Sequence, residues 1–326
     1  MNPTTDGAPV SDPAGLPDRG VRTHGRFDHI SFTGWKAEGE SRIRPSPVPV
    51  LRSQASPVPS FAELDEENSG FLDSVFNAAG LDRTAYRPGP LLRRIPACLR
   101  ALRTGSIPEA EKILASHPER LPRAIHALLI GTTEFFRDAV VFDVLQHSVV
   151  PALLERRRYP RVWSVACSEG QELYSVAMMF ALRGDLAAGQ FLGTDCRPQA
   201  IAHARRGLYP AAASAGIREP YRSLHTVAGL SGVTIAPVLR RAIDWHVGDI
   251  FEEGSVGSER SWDLILCRNL SIYLDPDAGA RLWDKLATAL EPGGILAVGK
   301  AEKPLVPSLQ KIAPSIYRKV PCPPPS

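Results

Sequence analysis

From Phe61 to about Val150, apolar residues recur at spacings of three and four. Phe61, Leu64, Phe71, Leu72, Val75 and Phe76 mark one amphipathic helix, and Gly80 provides its stop. Leu91, Leu92, Ile95, Leu99 and Leu102 mark a second, which Pro96 should bend or shorten because proline lacks the backbone donor. Arg93, Arg94, Arg100 and Arg103 make that helix basic. Further helices are expected at Pro108–Ala115, Leu121–Ile130 and Val140–Leu154, so residues 61–150 read as a small all-helical unit.

After Tyr159 the period changes. RVWSVA (161–166), FLGTD (191–195), IDWHV (243–247), WDLILC (262–267) and ILAVG (295–299) have the length and apolar content of buried strands. Helical patterns over Glu169–Leu182, Pro198–Arg206 and Pro276–Leu290 separate them, and SIYRKV (315–320) is placed to close the sheet. Strands alternating with helices predict an α/β domain over 151–320, with a mostly parallel sheet covered on both faces. Residues 210–242 interrupt the alternation; SLHTVAGLSGVTIAP, with Gly229 and Gly232 near its turn, predicts a short β-hairpin insertion.

The 326 residues are enough for about two domains, and 44% hydrophobic with 22% charged residues excludes wholesale disorder. Residues 1–60 carry nine prolines and only Phe27, Phe32 and Trp35 as aromatics, so a disordered tail is expected there, with a recognition peptide around Arg26–Lys36 an option. PCPPPS at 321–326 reads as a second loose tail. A net charge of +3 gives no ground for a nucleic-acid partner. No apolar stretch is long enough to span a bilayer, and the first residues lack a secretory pattern. The five cysteines include no CxxC pair, which speaks against a disulfide framework or a thiolate metal site and fits a reducing cytoplasm.

Ligands of open parallel sheets bind at the carboxyl ends of the strands, where the strand order reverses. The first strand runs into ACSEGQELYS, where Gly170 opens a helix and lets a ligand approach the backbone. Neither GxGxxG nor GxxxxGK[ST] is present, which removes the usual dinucleotide and P-loop readings. The second strand ends in Asp195, placed either to accept both hydroxyls of a ribose or to cap the helix near Pro198. In VGDIF, Asp249 is placed to meet an adenine amino group and Ile250 its ring face, unless Asp249 is an ordinary loop residue. Adenine and ribose without phosphate point to S-adenosylmethionine.

Five segments carry a resemblance that covers about 61–320. They are TTEFFRD (132–138), WSVACSEGQELYSVAM (163–178), GTDCRPQAIAHARRGLY (193–209), WDLILCRNLSIYLD (262–275) and LEPGGILAVGKAE (290–302). In order and spacing the chain resembles the chemotaxis receptor methyltransferase (CheR) family. The resemblance implies a Rossmann-like S-adenosylmethionine-dependent methyltransferase fold with a small all-helical N-terminal domain. It implies Thr133 and Arg137 closing over the cofactor, Glu172 and Asp195 holding its amino group and ribose, and Asp249 and Ile250 flanking its adenine. Arg268, Asn269 and Tyr273 would stand beside the transfer site. Without the family, TTEFFRD reads as a helix cap with two buried aromatics, and Tyr273 as a core-edge tyrosine.

The implied activity esterifies the γ-carboxylate of glutamates on a chemoreceptor or receptor-like protein. A glutamate with a pKa near about 4.3 is ionised at neutral pH, so no general base is needed. A guanidinium can hold the carboxylate through paired hydrogen bonds, a role that falls to Arg137, with Tyr273 as a second orienting group. The implied partner is an acidic helical receptor segment met by Arg93, Arg94, Arg100 and Arg103, although such a face is often only solvated surface. The enzyme would work as a monomer in the cytoplasm and reach the membrane only through its receptor.

The chain departs from the family pattern at four places. GQELY replaces GEEPY, Gly131 stands where an Asn is common, GKAE replaces GHSE, and Pro96-Ala97-Cys98 interrupts an Arg-rich helix. A binding module with little turnover, and a carboxyl methyltransferase with another substrate, are the competing readings.

Overall fold

A computed structural model describes residues 66–321, apart from Ser231. The expected tail at 1–60, its candidate peptide and the C-terminal residues 322–326 lie outside the described residues. The first described helix, α1 (Glu66–Ala78), buries Phe71, Leu72, Val75 and Phe76 and places Glu66 and Glu67 in its first turn, where the helix dipole favours anions. It ends as Gly80 takes φ +68° and the Leu81 N–H closes on the Phe76 carbonyl at 2.9 Å.

The expected basic helix is two helices, α2 (Pro88–Leu92) and α3 (Ile95–Leu102). Pro96 sits in the first turn of α3, where its missing N–H has no intrahelical partner to lose. Arg93 and Arg94 occupy the break, Arg100 lies on α3, and Arg103 is its C-cap at φ +63°. The four arginines therefore do not form a stripe along one helix. Next come α4 (Ile107–Ser116) and α5 (Leu121–Leu128). The helix expected over Val140–Leu154 is α6 (Ala139–Val144), a π turn at Leu145–Val149, and α7 (Val150–Arg156). Pro151 explains the π turn: its ring would press on the carbonyl four residues earlier, and the wider turn makes room.

The sheet starts with β1 (Arg161–Val165), followed by α8 (Gln171–Leu182), β2 (Gln190–Asp195) and α9 (Pro198–Arg206). The insertion comprises β3 (Leu208–Pro210), α10 (Tyr221–His225), β4 (Thr226–Gly229), β5 (Gly232–Ile235) and α11 (Pro237–Ala242). The expected hairpin is β4–β5; β3 adds a third strand to it because Tyr209 is buried beneath the insertion. The chain returns through β6 (Ile243–Val247), β7 (Trp262–Cys267), α12 (Pro276–Ala289), β8 (Leu290–Val298), β9 (Leu309–Ala313) and β10 (Ile316–Lys319). The main sheet has the order β6-β2-β1-β7-β8-β10-β9, parallel through β8 and antiparallel at β10 and β9. Strand order reverses between β1 and β7, which opens a crevice at their carboxyl ends.

Alternation along the strands divides the core. Trp163, Val165, Ile265, Cys267, Leu296 and Val298 pack with α1, α3, α5 and α12. Val162, Leu264, Leu266, Ile295 and Ala297 point to the other face, against α6 to α9. Helices α1 to α5 are therefore seated on one face of the sheet, whereas α6 and α7, expected as part of the same helical unit, pack on the other. Backbone contacts reinforce this seat: Arg87 N–H donates to the Tyr273 carbonyl at 2.9 Å, and Asp275 N–H to that of Ala85 at 2.9 Å.

The segment at 132–138 is fixed by its two aromatics. Phe135 is buried edge-on to Tyr209 at 4.9 Å, and Phe136 stacks on Tyr221 at 4.8 Å. Phe135→Ala is predicted to lower unfolding stability by about 3–5 kcal/mol in urea titration, the usual cost of emptying a buried aromatic site. A loss under about 1 kcal/mol would show that the segment is not anchored there.

Candidate active site

Leaving β1, the chain turns through Ala166 (φ +50°), Ser168 (φ +54°) and Gly170 (φ +90°). Left-handed conformations at Ala and Ser cost about 1–3 kcal/mol each, so tertiary contacts must hold them. Ser168 N–H donates to Asp195 Oδ2 at 2.8 Å, and Ser168 Oγ to the Gly131 carbonyl at 2.7 Å. Gly170 serves packing instead of ligand approach: a Cβ there would lie 2.7 Å from the Trp245 ring and 2.9 Å from the Ala204 Cβ.

Two buried carboxylates stand at this rim. Glu172, in the first turn of α8, accepts from Ser164 Oγ at 2.9 Å and Arg268 Nη1 at 3.2 Å. Asp195, at the end of β2, accepts from the backbone N–H and Nε of Arg197, both 2.9 Å, and from Arg197 Nη2 at 3.0 Å. It does not cap α9, whose N-cap is Arg197 with no side-chain bond. Burial works against the Arg197 charge, but the Asp195 carboxylate more than reverses this and raises the guanidinium pKa.

Arg268 follows β7 and is itself buried. Besides Glu172, it donates to the Arg137 carbonyl at 2.8 Å and to Asp138 Oδ2 at 2.5 Å, with its guanidinium 5.2 Å from the Phe142 ring centre. Asn269 takes φ +62°, and its N–H donates to Glu302 Oε2 at 2.7 Å. Glu302 also accepts the N–H groups of Ser271 at 2.7 Å and Gly299 at 2.6 Å, tying the loops after β7 and β8 together.

These groups surround an open cavity whose space, solvent at its mouth included, is about 940 Å³. Thr133, Arg137, Glu172, Asp195, Arg268, Asn269 and Tyr273 all line it. Gly170, Asp249 and Ile250 do not. Ile250 packs into the core with Trp163 and Leu192, and its carbonyl accepts Lys285 Nζ at 2.6 Å. Asp249 takes the Phe251 N–H at 3.1 Å, and burial raises its pKa. On the cavity side Tyr86 from the helical region stands there instead, its hydroxyl bonded to the Cys196 sulfur. Arg93, Arg100 and Arg103 are exposed away from the cavity, whereas Arg94 is partly covered and donates to the Ala127 carbonyl at 2.8 Å.

Sequence reasoning missed Arg197, Glu302 and Tyr86. Glu302 lies inside the quoted GKAE element, and Arg197 two residues after a strand-end acid, a spacing that permits a short pairing loop. Burial pushes the Cys167 and Cys196 thiols up, so neither offers a thiolate nucleophile. Among the described residues no group of three or more His, Cys, Asp or Glu is placed to hold a metal ion. No described helix is long and apolar enough to cross a membrane. Two buried polar atoms of cavity-lining residues, Asn269 Oδ1 and Arg268 Nε, have no hydrogen-bond partner among the described residues.

The family described as CheR methyltransferase, SAM binding domain, matches residues 131–314. A chemotaxis protein methyltransferase of Listeria innocua is 31% identical over 76% of this chain and 93% of its own. A probable chemotaxis protein methyltransferase of Rhizobium etli is 29% identical over 70% and 89%. A probable biofilm formation methyltransferase, WspC, of Pseudomonas putida is 31% identical over 56% of this chain and 44% of its own.

Burial raises the Glu172 pKa, against opposing pulls from Arg268 and Ser164. A carboxyl raised on folding stabilises the native state fully below its unfolded pKa, and that contribution is lost as pH rises through the raised value. Relative to wild type, Glu172→Gln should therefore gain stability as pH rises above about 4.5, levelling once Glu172 is ionised. Urea titrations of both proteins across this range check the sign; a relative loss with rising pH would contradict it.

Proposed function

Because the chain belongs to the CheR methyltransferase family, with S-adenosylmethionine as its cofactor, we propose that it esterifies glutamate γ-carboxylates on a chemoreceptor or receptor-like signalling protein. The cofactor supplies an electrophilic methyl group on a sulfonium. In this reading Asp195 accepts the ribose hydroxyls, and Glu172 with Asn269 Oδ1 accepts the methionine amino group. Thr133 covers the cofactor from the 132–138 segment.

One observation carries the reading most: Arg137 and Tyr273 line the same cavity as Glu172 and Asp195. Arg137 donates through Nη1 to the Thr132 carbonyl at 2.7 Å, which steadies the guanidinium at the wall. A planar fork there can take both oxygens of the incoming carboxylate, leaving one lone pair aligned with the methyl. The Tyr273 hydroxyl orients the same group. The acceptor arrives ionised, so these residues position it and no proton is abstracted.

The acceptor segment is acidic and helical in this reading, and exposed Arg93, Arg100 and Arg103 meet it. The enzyme acts as a monomer on the cytoplasmic side of its receptor. Splitting of the basic helix into α2 and α3, with the similarity to WspC, favours a receptor-like protein outside chemotaxis as the second reading.

Arg137→Ala should lower turnover by about 100-fold, in the range of other charge-positioning groups, and change S-adenosylhomocysteine affinity by less than about threefold. Equal loss of both would remove Arg137 from the acceptor site. Incubation with methyl-labelled cofactor and membranes of the source organism should label a membrane protein in a base-labile form. Cofactor binding with no transfer to any protein would mark a binding module instead.

A further inference from the structure

Arg197 is only 5% exposed and its guanidinium lies on the Asp195 carboxylate, which the proposed function gives to the ribose. A carboxylate offers about four lone-pair positions. In Asp195 they are taken by Ser168 N–H, Arg197 N–H, Arg197 Nε and Arg197 Nη2, at 2.8 to 3.0 Å. A ribose diol requires two acceptor positions, and only the two side-chain donors can leave without unfolding the loop.

A recess adjoins the guanidinium on the side away from the cavity. Arg197 borders both the cavity and an adjoining recess, which share Gly131, Thr132 and Thr133 as their dividing wall. Gly131 makes this wall thin: a Cβ there would lie 1.8 Å from Arg197 Nη1. Across it the recess is lined by Glu169 and Gln171. Gln171 is 2% exposed, and its Oε1 has no partner, a buried acceptor without a donor. The Glu169 carboxylate lies 3.8 Å from His203 Nδ1. A guanidinium arriving there would meet one neutral and one anionic acceptor, beside Arg94 and a His126 whose pKa burial lowers.

We propose that Arg197 is a displaceable competitor for the ribose carboxylate and thereby sets cofactor affinity. It occupies Asp195 in the free enzyme, and the incoming diol moves its guanidinium past Gly131 to Gln171 and Glu169. The inference rests on Asp195 being the ribose acceptor. Affinity is then reduced by the fraction of molecules in which the competitor is already clear.

Calorimetry with S-adenosylhomocysteine tests it on the full chain. Arg197→Ala should bind about tenfold tighter, corresponding to a competitor in place in about nine molecules of ten. The gain should shrink for the 2′-deoxy analogue, which needs one acceptor position instead of two, a distinction that a purely structural role would not produce. Gly131→Ala, which excludes Nη1 from its resting place while keeping the arginine, should also tighten binding and covers the case in which Arg197→Ala folds poorly. Gln171→Leu, outside the cavity wall, should weaken binding severalfold by removing the second acceptor. Unchanged or weaker binding in both Arg197→Ala and Gly131→Ala would overturn the proposal. Asp195→Ala separates the two claims: lost binding there keeps the ribose assignment even if the competitor fails, whereas wild-type binding would overturn both.

Discussion

The Arg268 guanidinium joins three parts of the chain that are distant in sequence. It leaves the end of β7, meets Glu172 on α8 at 3.2 Å, and reaches Asp138 and the Arg137 carbonyl in the 132–138 segment at 2.5 and 2.8 Å. A buried cation is tolerated only when nearly all its charge is matched, so these contacts form together or not at all. Their consequence is geometric. The segment bearing Thr133 and Arg137 has an apolar anchor in Phe135 and Phe136 and a polar anchor in Arg268. Between them, the guanidinium of Arg137 is left facing the cavity.

The rim around this cavity is built from unfavourable backbone. Phe136, Asp138, Ala166, Ser168 and Asn269 all have positive φ, whereas the strands that lead to them are regular. Such residues persist when their surroundings over-determine them. Asp195 fixes Ser168, Glu302 fixes Asn269, and Ser175 Oγ accepts the Phe136 N–H at 3.1 Å. The buried carboxylates of Asp195 and Glu302 thus hold strained turns open around a space.

The strands and the two faces of the core were legible because alternation and helical spacing record burial directly. The place of Asp195 at the rim was legible because strand ends are where the topology gathers chemistry, whereas Glu172 was reached through the resemblance alone. What could not be read depends on contacts across the fold. Pro96 allows a new helix to begin as readily as it breaks one, so the division into α2 and α3 follows from how Ile95 and Leu102 pack. Gly170 looked like a ligand-facing glycine, yet its space is claimed by Trp245. Ile250 lies in the core, and Tyr86, arriving from the helical region, stands on the cavity wall near Asp249. Nothing local foretells that Gly131 and Arg197 share one volume.

The departures from the family pattern also change meaning in three dimensions. Gln171 of GQELY lines the adjoining recess, so the carboxylate missing there is not taken from the cavity wall. In GKAE, Lys300 and Ala301 are exposed while Glu302 is buried and retains the structural work of the element. Of the departures, Gly131 lines the cavity itself, whereas Gln171 falls beside it and Lys300 and Ala301 on the surface. A crystal structure with S-adenosylhomocysteine bound tests the central claim most directly. The account predicts the nucleoside in the cavity between Asp195 and Glu172, with the homocysteine sulfur facing Arg137 and Tyr273. A nucleoside bound elsewhere, or Arg137 turned away from the sulfur, would contradict it.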